Sequence, residues 1–126
     1  MNLLKTHQID FRILDRPEVP VRKVAPGEVI ISEGAAAHEM FLVRKGKCEI
    51  RVKDQPVEEV TSGGIFGEMA LIDQSARSAT VVAVEESEII PIDERLFVIL
   101  IQDAPYFALD VMRTLVERIR AMNRRI

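Results

Sequence analysis

The spacing of apolar residues changes period once along the chain, near residue 92, and this limits the folds open to it. Before that point, short apolar runs are broken by glycine, proline or acidic pairs about every ten residues. Pro26-Gly27 precedes Glu28-Val29-Ile30-Ile31, Glu33-Gly34 ends that run, and Met40-Phe41-Leu42-Val43 follows. Lys45-Gly46 turns the chain into Lys47 to Lys53, where Cys48, Ile50 and Val52 alternate with Glu49 and Arg51. Such alternation marks a half-buried strand, because successive side chains leave opposite faces of a pleated backbone. Cys48 falls on its core face as a small hydrophobe. Asp54-Gln55-Pro56 and Ser62-Gly63-Gly64 predict two further turns, and Ala79 to Val84 and Glu88 to Ile92 are strands rich in β-branched residues. Many short strands with regular turns point to a barrel or a two-sheet jelly roll.

From Asp93 the reading is helical. Asp93 is the expected N-cap of a helix over Glu94 to Gln102, with Leu96, Phe97, Leu100 and Ile101 at helical spacing. That helix ends at Asp103 or Ala104, Pro105 suits the first turn of a second, and the second runs from about Tyr106 to near the C-terminus. Pro17 and Pro20 exclude a continuous helix at the other end, so residues 1–20 are expected as a short helix or an extended arm. The expected layout is thus an arm over 1–20, a strand-rich body over 21–92 and two helices over 93–126. At 126 residues these share one domain with a self-sufficient core.

Composition removes several function classes. A net charge of -3 argues against a general nucleic-acid or acidic-membrane binder, which needs a dominant basic face. Cys48 is the only cysteine, so no intrachain disulfide forms and a reducing cytoplasm is the expected setting. The N-terminus has no signal-peptide core, and no apolar run approaches the roughly 20 residues of a membrane span. His7 and His38 are isolated, whereas a metal centre needs three or four clustered ligands; no metal is expected. No G-x-S-x-G turn or Walker-type loop occurs, and no catalytic residue is assigned.

The chemistry concentrates in Phe66 to Thr80, F-G-E-M-A-L-I-D-Q-S-A-R-S-A-T. With Phe66-Gly67-Glu68 ending a strand and Met69 to Asp73 on one or two helical turns, the first N–H groups of that turn point outward without intrahelical partners. An anion belongs in front of Met69, Ala70 and Leu71, and Gly67 lets the backbone approach it closely. Arg77, nine residues after Glu68, returns across the mouth of the turn and offers a guanidinium fork to two phosphate oxygens. The Ser78 hydroxyl adds a further donor. Glu68 accepts hydrogen bonds only, so its natural partner beside an anion is a ligand hydroxyl such as a ribose 2′-OH, with Arg77 also holding its charge in check. A phosphorylated sugar with a free 2′-OH and a constrained phosphate fits this pair best.

These residues resemble the phosphate-binding cassette of the cyclic nucleotide-binding domain family, which serves catabolite-activator-like regulators, cyclic-nucleotide-dependent kinases and gated channels. Phe66, Gly67, Glu68, Ala70, Leu71, Arg77, Ala79 and Thr80 stand at the cassette's positions with its full spacing. Gly27-Glu28-x-Ile30-x-x-Glu33-Gly34 and Met40-Phe41-x-Val43-x-x-Gly46 resemble the family's first hairpins. The resemblance spans roughly residues 25–123. It implies a mainly β, jelly-roll-like β-roll (a double-stranded β-helix) carrying the cassette over 66–80, a short cassette helix, and hinge and lid helices at the C-terminus. It also implies a non-catalytic sensor without a cofactor, Glu68 on the ribose 2′-OH, and Arg77 with the Met69 and Ala70 backbone on the cyclic phosphate. In this family serine after the arginine accompanies cAMP and threonine accompanies cGMP, so Ser78 leans to cAMP. Met122-Asn123 falls where catabolite-activator-like regulators place a Thr-Ser pair against the adenine, and Asn123 presents both a donor and an acceptor to a purine edge. The helical segment usual before the roll is truncated or replaced, and no helix-turn-helix follows the lid helix. Direct DNA binding is therefore not expected, and a signal would leave through a partner protein or altered self-association.

Each feature also has a plainer reading. Glu68 and Arg77 could be a structural salt bridge at an ordinary turn, Ser78 a turn hydroxyl and Asn123 a solvated helix end. Met112, Leu115, Ile119, Met122 and Ile126 follow a 3-4-3-4 spacing that suits a short seam between two copies, or packing of the same face on the roll. Arg113, Arg118, Arg120, Arg124 and Arg125 complement the helix dipole and read as a solvated face. Two rival functions stay open: a scaffold that kept the roll without its ligand, and a metal-dependent enzyme of the cupin type.

Overall fold

The computed structural model describes residues 3–5 and 8–124; expectations placed on His7, Arg125 and Ile126 lie outside them. Among the described residues nine strands form two sheets. They are β1 (Leu4–Lys5), β2 (Arg22–Val24), β3 (Val29–Ile31), β4 (Glu39–Lys45), β5 (Lys47–Val52), β6 (Gln55–Thr61), β7 (Ile65–Phe66), β8 (Thr80–Ala83) and β9 (Ser87–Asp93). One sheet runs β1-β6-β5-β8-β3 and the other β2-β9-β4-β7. All pairings are antiparallel except β1 with β6. Helix α1 (Glu68–Asp73) interrupts the strands, and α2 (Glu94–Asp103) and α3 (Tyr106–Arg124) close the chain. This is the mainly β, two-sheet roll with a short cassette helix and two C-terminal helices that the sequence implies.

The four-stranded sheet is buried on both faces, which explains why β4 and β9 carry continuous apolar runs rather than alternation. Phe41, Val43, Phe66 and Ile89 point inward and meet Ile31, Cys48, Val60 and Val81 of the opposite sheet. Met40, Leu42, Ile65, Ile90 and Ile92 point outward into a second cluster with Leu100 of α2 and Phe107 and Val111 of α3. Register enforces the division, because Met40 pairs with Ile92 and Leu42 with Ile90, while Val43 pairs with Ile89. Each fully buried aliphatic side chain contributes about 1.5–3 kcal/mol.

The N-terminal segment joins the outer cluster instead of standing apart. A 3-10 turn spans Arg12–Leu14, and Ile9, Leu14 and Val19 are buried against β4 and the helices. The Ile9 N–H donates to the Gly63 carbonyl at 2.6 Å. At the other end of the roll, the Asp93 carboxylate accepts from the Leu96 N–H at 2.8 Å and caps α2. Ala104 ends α2 before Pro105, because the proline ring disfavours a helical residue in front of it. Phe97 and Phe107 meet edge to face at 5.8 Å and hold the two helices together.

Two local expectations need correction. The turn expected at Asp54-Gln55-Pro56 falls one residue earlier, on Lys53-Asp54 with φ of 51° and 65°, and Gln55 already pairs with Val52. Both central residues lie in the left-handed region that suits a two-residue hairpin, and Pro56 is accommodated within β6. Val52, expected on the core face, is exposed beside that hairpin. Gly46 sits where the chain leaves one sheet for the other. Its φ is 103°, and a Cβ there would lie 2.2 Å from the Ser87 Oγ and 2.7 Å from the Glu86 carbonyl, so only glycine fits.

Candidate functional site

The site is built where β7 runs into α1. Ile65 and Phe66 are fully buried, one in each apolar cluster, and they fix the backbone that leads into Gly67. Gly67 takes a left-handed conformation (φ 77°) as the N-cap of α1. Ala70 and Leu71 face the interior, whereas Met69 and Ile72 are exposed. The loop from α1 to β8 is pinned by paired backbone bonds, Gly34 N–H to Arg77 carbonyl at 2.8 Å and Arg77 N–H to Ala35 carbonyl at 2.9 Å. The Thr80 hydroxyl accepts from the Glu33 N–H at 3.0 Å and anchors the start of β8.

Those bonds set Arg77 across the mouth of the turn. Its Nη1 donates to the Gly67 carbonyl at 3.0 Å and its Nη2 to the Glu39 carbonyl at 2.8 Å. The guanidinium lies over the Phe41 ring, 5.8 Å from its centre, and Phe41 stacks on Phe66. A Cβ at Gly67 would stand 2.7 Å from Nη1, so the glycine leaves room for the guanidinium itself. Among the described residues no carboxylate is in ion-pair contact with Arg77. Burial pulls its pKa below the usual arginine value, against the opposing influence of the Glu39 and Glu68 charges. Arg77 is thus a partly desolvated cation held on neutral carbonyls.

Glu68 is 4 % exposed, unusual for a carboxylate, and its partner is not Arg77. Arg118 of α3 donates from Nη1 to its Oε1 at 2.5 Å. The same guanidinium forks onto Glu58 of β6, Nε to Oε1 at 2.8 Å and Nη2 to Oε2 at 2.7 Å, and Nη2 also donates to the Ile65 carbonyl. Glu58 is as buried as Glu68, and the Arg118 side chain is 15 % exposed. Burial alone would lower the Arg118 pKa, but the Glu58 hydrogen bonds and the charges of Glu68 and Glu58 outweigh it and raise it. The other Glu68 oxygen, Oε2, is buried with no hydrogen-bond partner among the described residues. An orphaned buried acceptor of this kind costs about 1–3 kcal/mol unless something donates to it.

Gly67, Glu68, Met69 and Ala70 therefore lie on one turn, and Arg77 closes over its start. Ser78 is exposed beside Arg77, and Asn123 is exposed on the last turn of α3. No hydrogen bond among the described residues joins either one to the cluster. Two expectations need correction: Arg77 acts on the Glu68 charge only through space, the contact ion pair being with Arg118, and Arg118 does not belong to a solvated arginine face. Arg118 and Glu58 were missed as site residues. The available signals were the Glu58-Glu59 pair interrupting a β6 pattern, and an arginine one helical turn after Thr114, itself on the inward face of α3. The expected α3 seam also divides. Leu115 packs on the outer cluster, while Met112, Ile119 and Met122 are exposed together with Leu109 and Val116. Among the described residues no group of three His, Cys, Asp or Glu side chains is placed to hold a metal, and no helix is long and apolar enough to cross a membrane.

Similarity to known proteins takes in the turn and its arginine, residues 66–80. The family model for the cyclic nucleotide-binding domain matches residues 21–104. A cyclic nucleotide-gated potassium channel of Rhizobium etli is 37 % identical over 97 residues, covering 77 % of this chain and 27 % of the channel. A cAMP-dependent protein kinase regulatory subunit of Blastocladiella emersonii is 36 % identical over 87 residues, covering 65 % of this chain and 22 % of the subunit. The chain thus spans about a quarter of the length of these curated relatives. The crystal structure of the Thermus thermophilus catabolite activator protein superposes with a TM-score of 0.74 at 28 % identity, over 90 % of this chain and 59 % of that one. Two opposed sheets, a cassette turn with its acid and its base, and a family match over two thirds of the sequence agree: this chain belongs to the cyclic nucleotide-binding domain family.

Proposed function

We propose that the chain is a non-catalytic sensor of a cyclic nucleotide, with cAMP as the ligand, and that it relays occupancy through α3. The observation that carries this is the buried Glu68 carboxylate with one oxygen unpartnered, on the same turn that Arg77 covers. A ligand 2′-hydroxyl donating to Oε2 removes that deficit without bringing charge into the interior. Arg77 exchanges two neutral carbonyls for two phosphate oxygens, and charge-assisted bonds are roughly twice as strong as neutral ones. Gly67 and the Met69 and Ala70 N–H groups meet the phosphate, Ser78 adds a hydroxyl, and Asn123 reads the base as α3 closes. The kinase relative is named for its dependence on cAMP, which with Ser78 favours cAMP over cGMP.

The mechanism is a population shift. Ligand draws residues 66–74 inward and favours the closed position of α3, only as far as its affinities for the two states differ. The exposed Leu109, Met112, Val116, Ile119 and Met122 give α3 a face for a second copy, or for a downstream protein that receives the signal; a cytoplasmic setting suits both. The ligand-free scaffold reading leaves the orphaned carboxylate oxygen as an uncompensated cost, and the cupin reading finds no metal-ligand cluster among the described residues.

Calorimetric titration with cAMP and cGMP tests the proposal. Wild type binds, with cAMP the tighter, and Arg77→Ala loses about 2–5 kcal/mol because the buried anion is left without its cation. A wild-type chain that binds neither nucleotide refutes the sensor function. A monomeric mass in light scattering, with and without ligand, refutes the second-copy role of α3.

A further inference from the structure

We infer that Arg22 of β2 is a second cation of the phosphate site: it stands at the mouth of the roll, draws the ligand's phosphate in and passes it to Arg77. This deepens the sensor reading and rests on its placing an anion against Arg77.

Strand β2 lies at the edge of its sheet, where Arg22 pairs with the buried Ile89, and Val24, two residues on, belongs to the inner cluster. Side chains two apart share a face, so Arg22 points into the roll and Lys23 away from it. The Arg22 guanidinium lies over the Phe41 ring, 5.2 Å from its centre, and Arg77 lies over the same ring at 5.8 Å. Arg77 is half-buried and Arg22 exposed, so Arg22 is the outer of the two guanidiniums. The other strand arginines, Arg44 and Arg51, are paired with Glu88 and Glu49. Among the described residues no carboxylate is in ion-pair contact with Arg22.

Charge balance gives this cation its use. Glu39 and Glu68 act on Arg77, and Glu58 and Glu68 act on Arg118. Three carboxylates against two guanidiniums leave the site negative, on a chain whose net charge is -3. A phosphate approaching such a site is repelled. Arg22 restores parity, and it does so at the entrance, where an incoming anion feels it before it reaches Glu39 or Glu68. An inward charge on an edge strand also discourages pairing between copies. That use needs no ligand and predicts no effect on binding.

Stopped-flow fluorescence separates the two uses. The probe is cAMP or cGMP, whichever binds the tighter, carrying a fluorophore at C8. At about 20 mM salt Arg22→Gln slows association about threefold and Arg22→Glu about tenfold, as expected for one and two unit charges removed at about 10 Å. Arg22→Lys stays within about twofold of wild type, because steering needs the charge and not the fork, and dissociation changes by less than about twofold in every variant. At about 0.5 M salt the differences vanish. Lys23→Gln removes the same formal charge from the outward neighbour and slows association by less than about 1.5-fold. Arg22→Met, which covers Phe41 without a charge, takes the place of Arg22→Gln if that variant does not fold. An association rate like wild type in the neutral variant, an equal slowing by Lys23→Gln, or a loss confined to dissociation overturns the inference and leaves the sensor reading intact. A wild-type chain that binds neither nucleotide overturns the sensor reading and this inference with it.

Discussion

Replacing Arg118 with leucine should destabilise the fold far more than replacing Glu58 with leucine, although both changes break the same fork. In Arg118→Leu two carboxylates, each with a side chain 5 % exposed, lose their shared cation at once. Removing the cation beside a buried charge costs about 3–5 kcal/mol, and in this variant the guanidinium is withdrawn from both carboxylates. In Glu58→Leu the guanidinium keeps Glu68 and the Ile65 carbonyl, so a neutral pair remains and the loss is about 1–3 kcal/mol. For a domain of this size the larger figure lowers the melting temperature by roughly 10–20 °C. Urea unfolding followed by circular dichroism reads both variants, with the comparison made at equal slope so that midpoints report stability. Added salt should not close the gap, because buried pairs are screened much less than exposed ones. If Arg118→Leu is no less stable than Glu58→Leu, the two carboxylates are hydrated rather than desolvated, and Arg118 is not the cation that keeps them in the interior.

Gly67→Ala forces a side chain into the left-handed region at about 1–2 kcal/mol and sets its Cβ 2.7 Å from Arg77 Nη1. It should lower the urea midpoint and weaken cyclic-nucleotide binding together; wild-type values for both would refute the close-approach role of this glycine. Burial pushes the Cys48 thiol up to about 11 from an ordinary 9.0, with a hydrogen bond from Ser87 opposing the shift. The folded chain therefore keeps a proton that the unfolded chain gives up between those values. Its stabilising contribution is whole below about pH 9 and is lost as pH rises through about 11. Cys48→Ala should flatten that part of the stability profile, and an unchanged alkaline slope in the variant would refute the assignment.

Strands β3, β4, β5, β8 and β9, the Asp93 cap and the two C-terminal helices were legible because turn residues and period carry them directly. Asp93 shows why: a short acceptor before an apolar helical run has few other uses. The double burial of β4 and β9 was less legible, since Met40-Phe41-Leu42-Val43 reads the same whether a sheet has one covered face or two. Strand β6 was hidden by Glu58-Glu59, which look like turn or surface residues until a cation from 60 positions away neutralises one of them. The cassette was legible as a spacing. What the spacing could not convey was which charge meets which, because Arg77 and Arg118 are equally plausible partners for Glu68 until α3 is laid on the roll. Helical period alone places Leu115 and Met112 on one broad apolar face, and only the packed helix shows that Leu115 turns inward and Met112 outward.

The two residues of β7 behave as a rivet through a wall. Ile65 is clenched on one side of the sheet and Phe66 on the other, so the strand cannot slide without opening voids in both layers at once. The base of the turn is thereby anchored, whereas residues 72–76 are all exposed and can shift without disturbing a packed layer. A stiff anvil with a pliable edge keeps strain out of both packed layers.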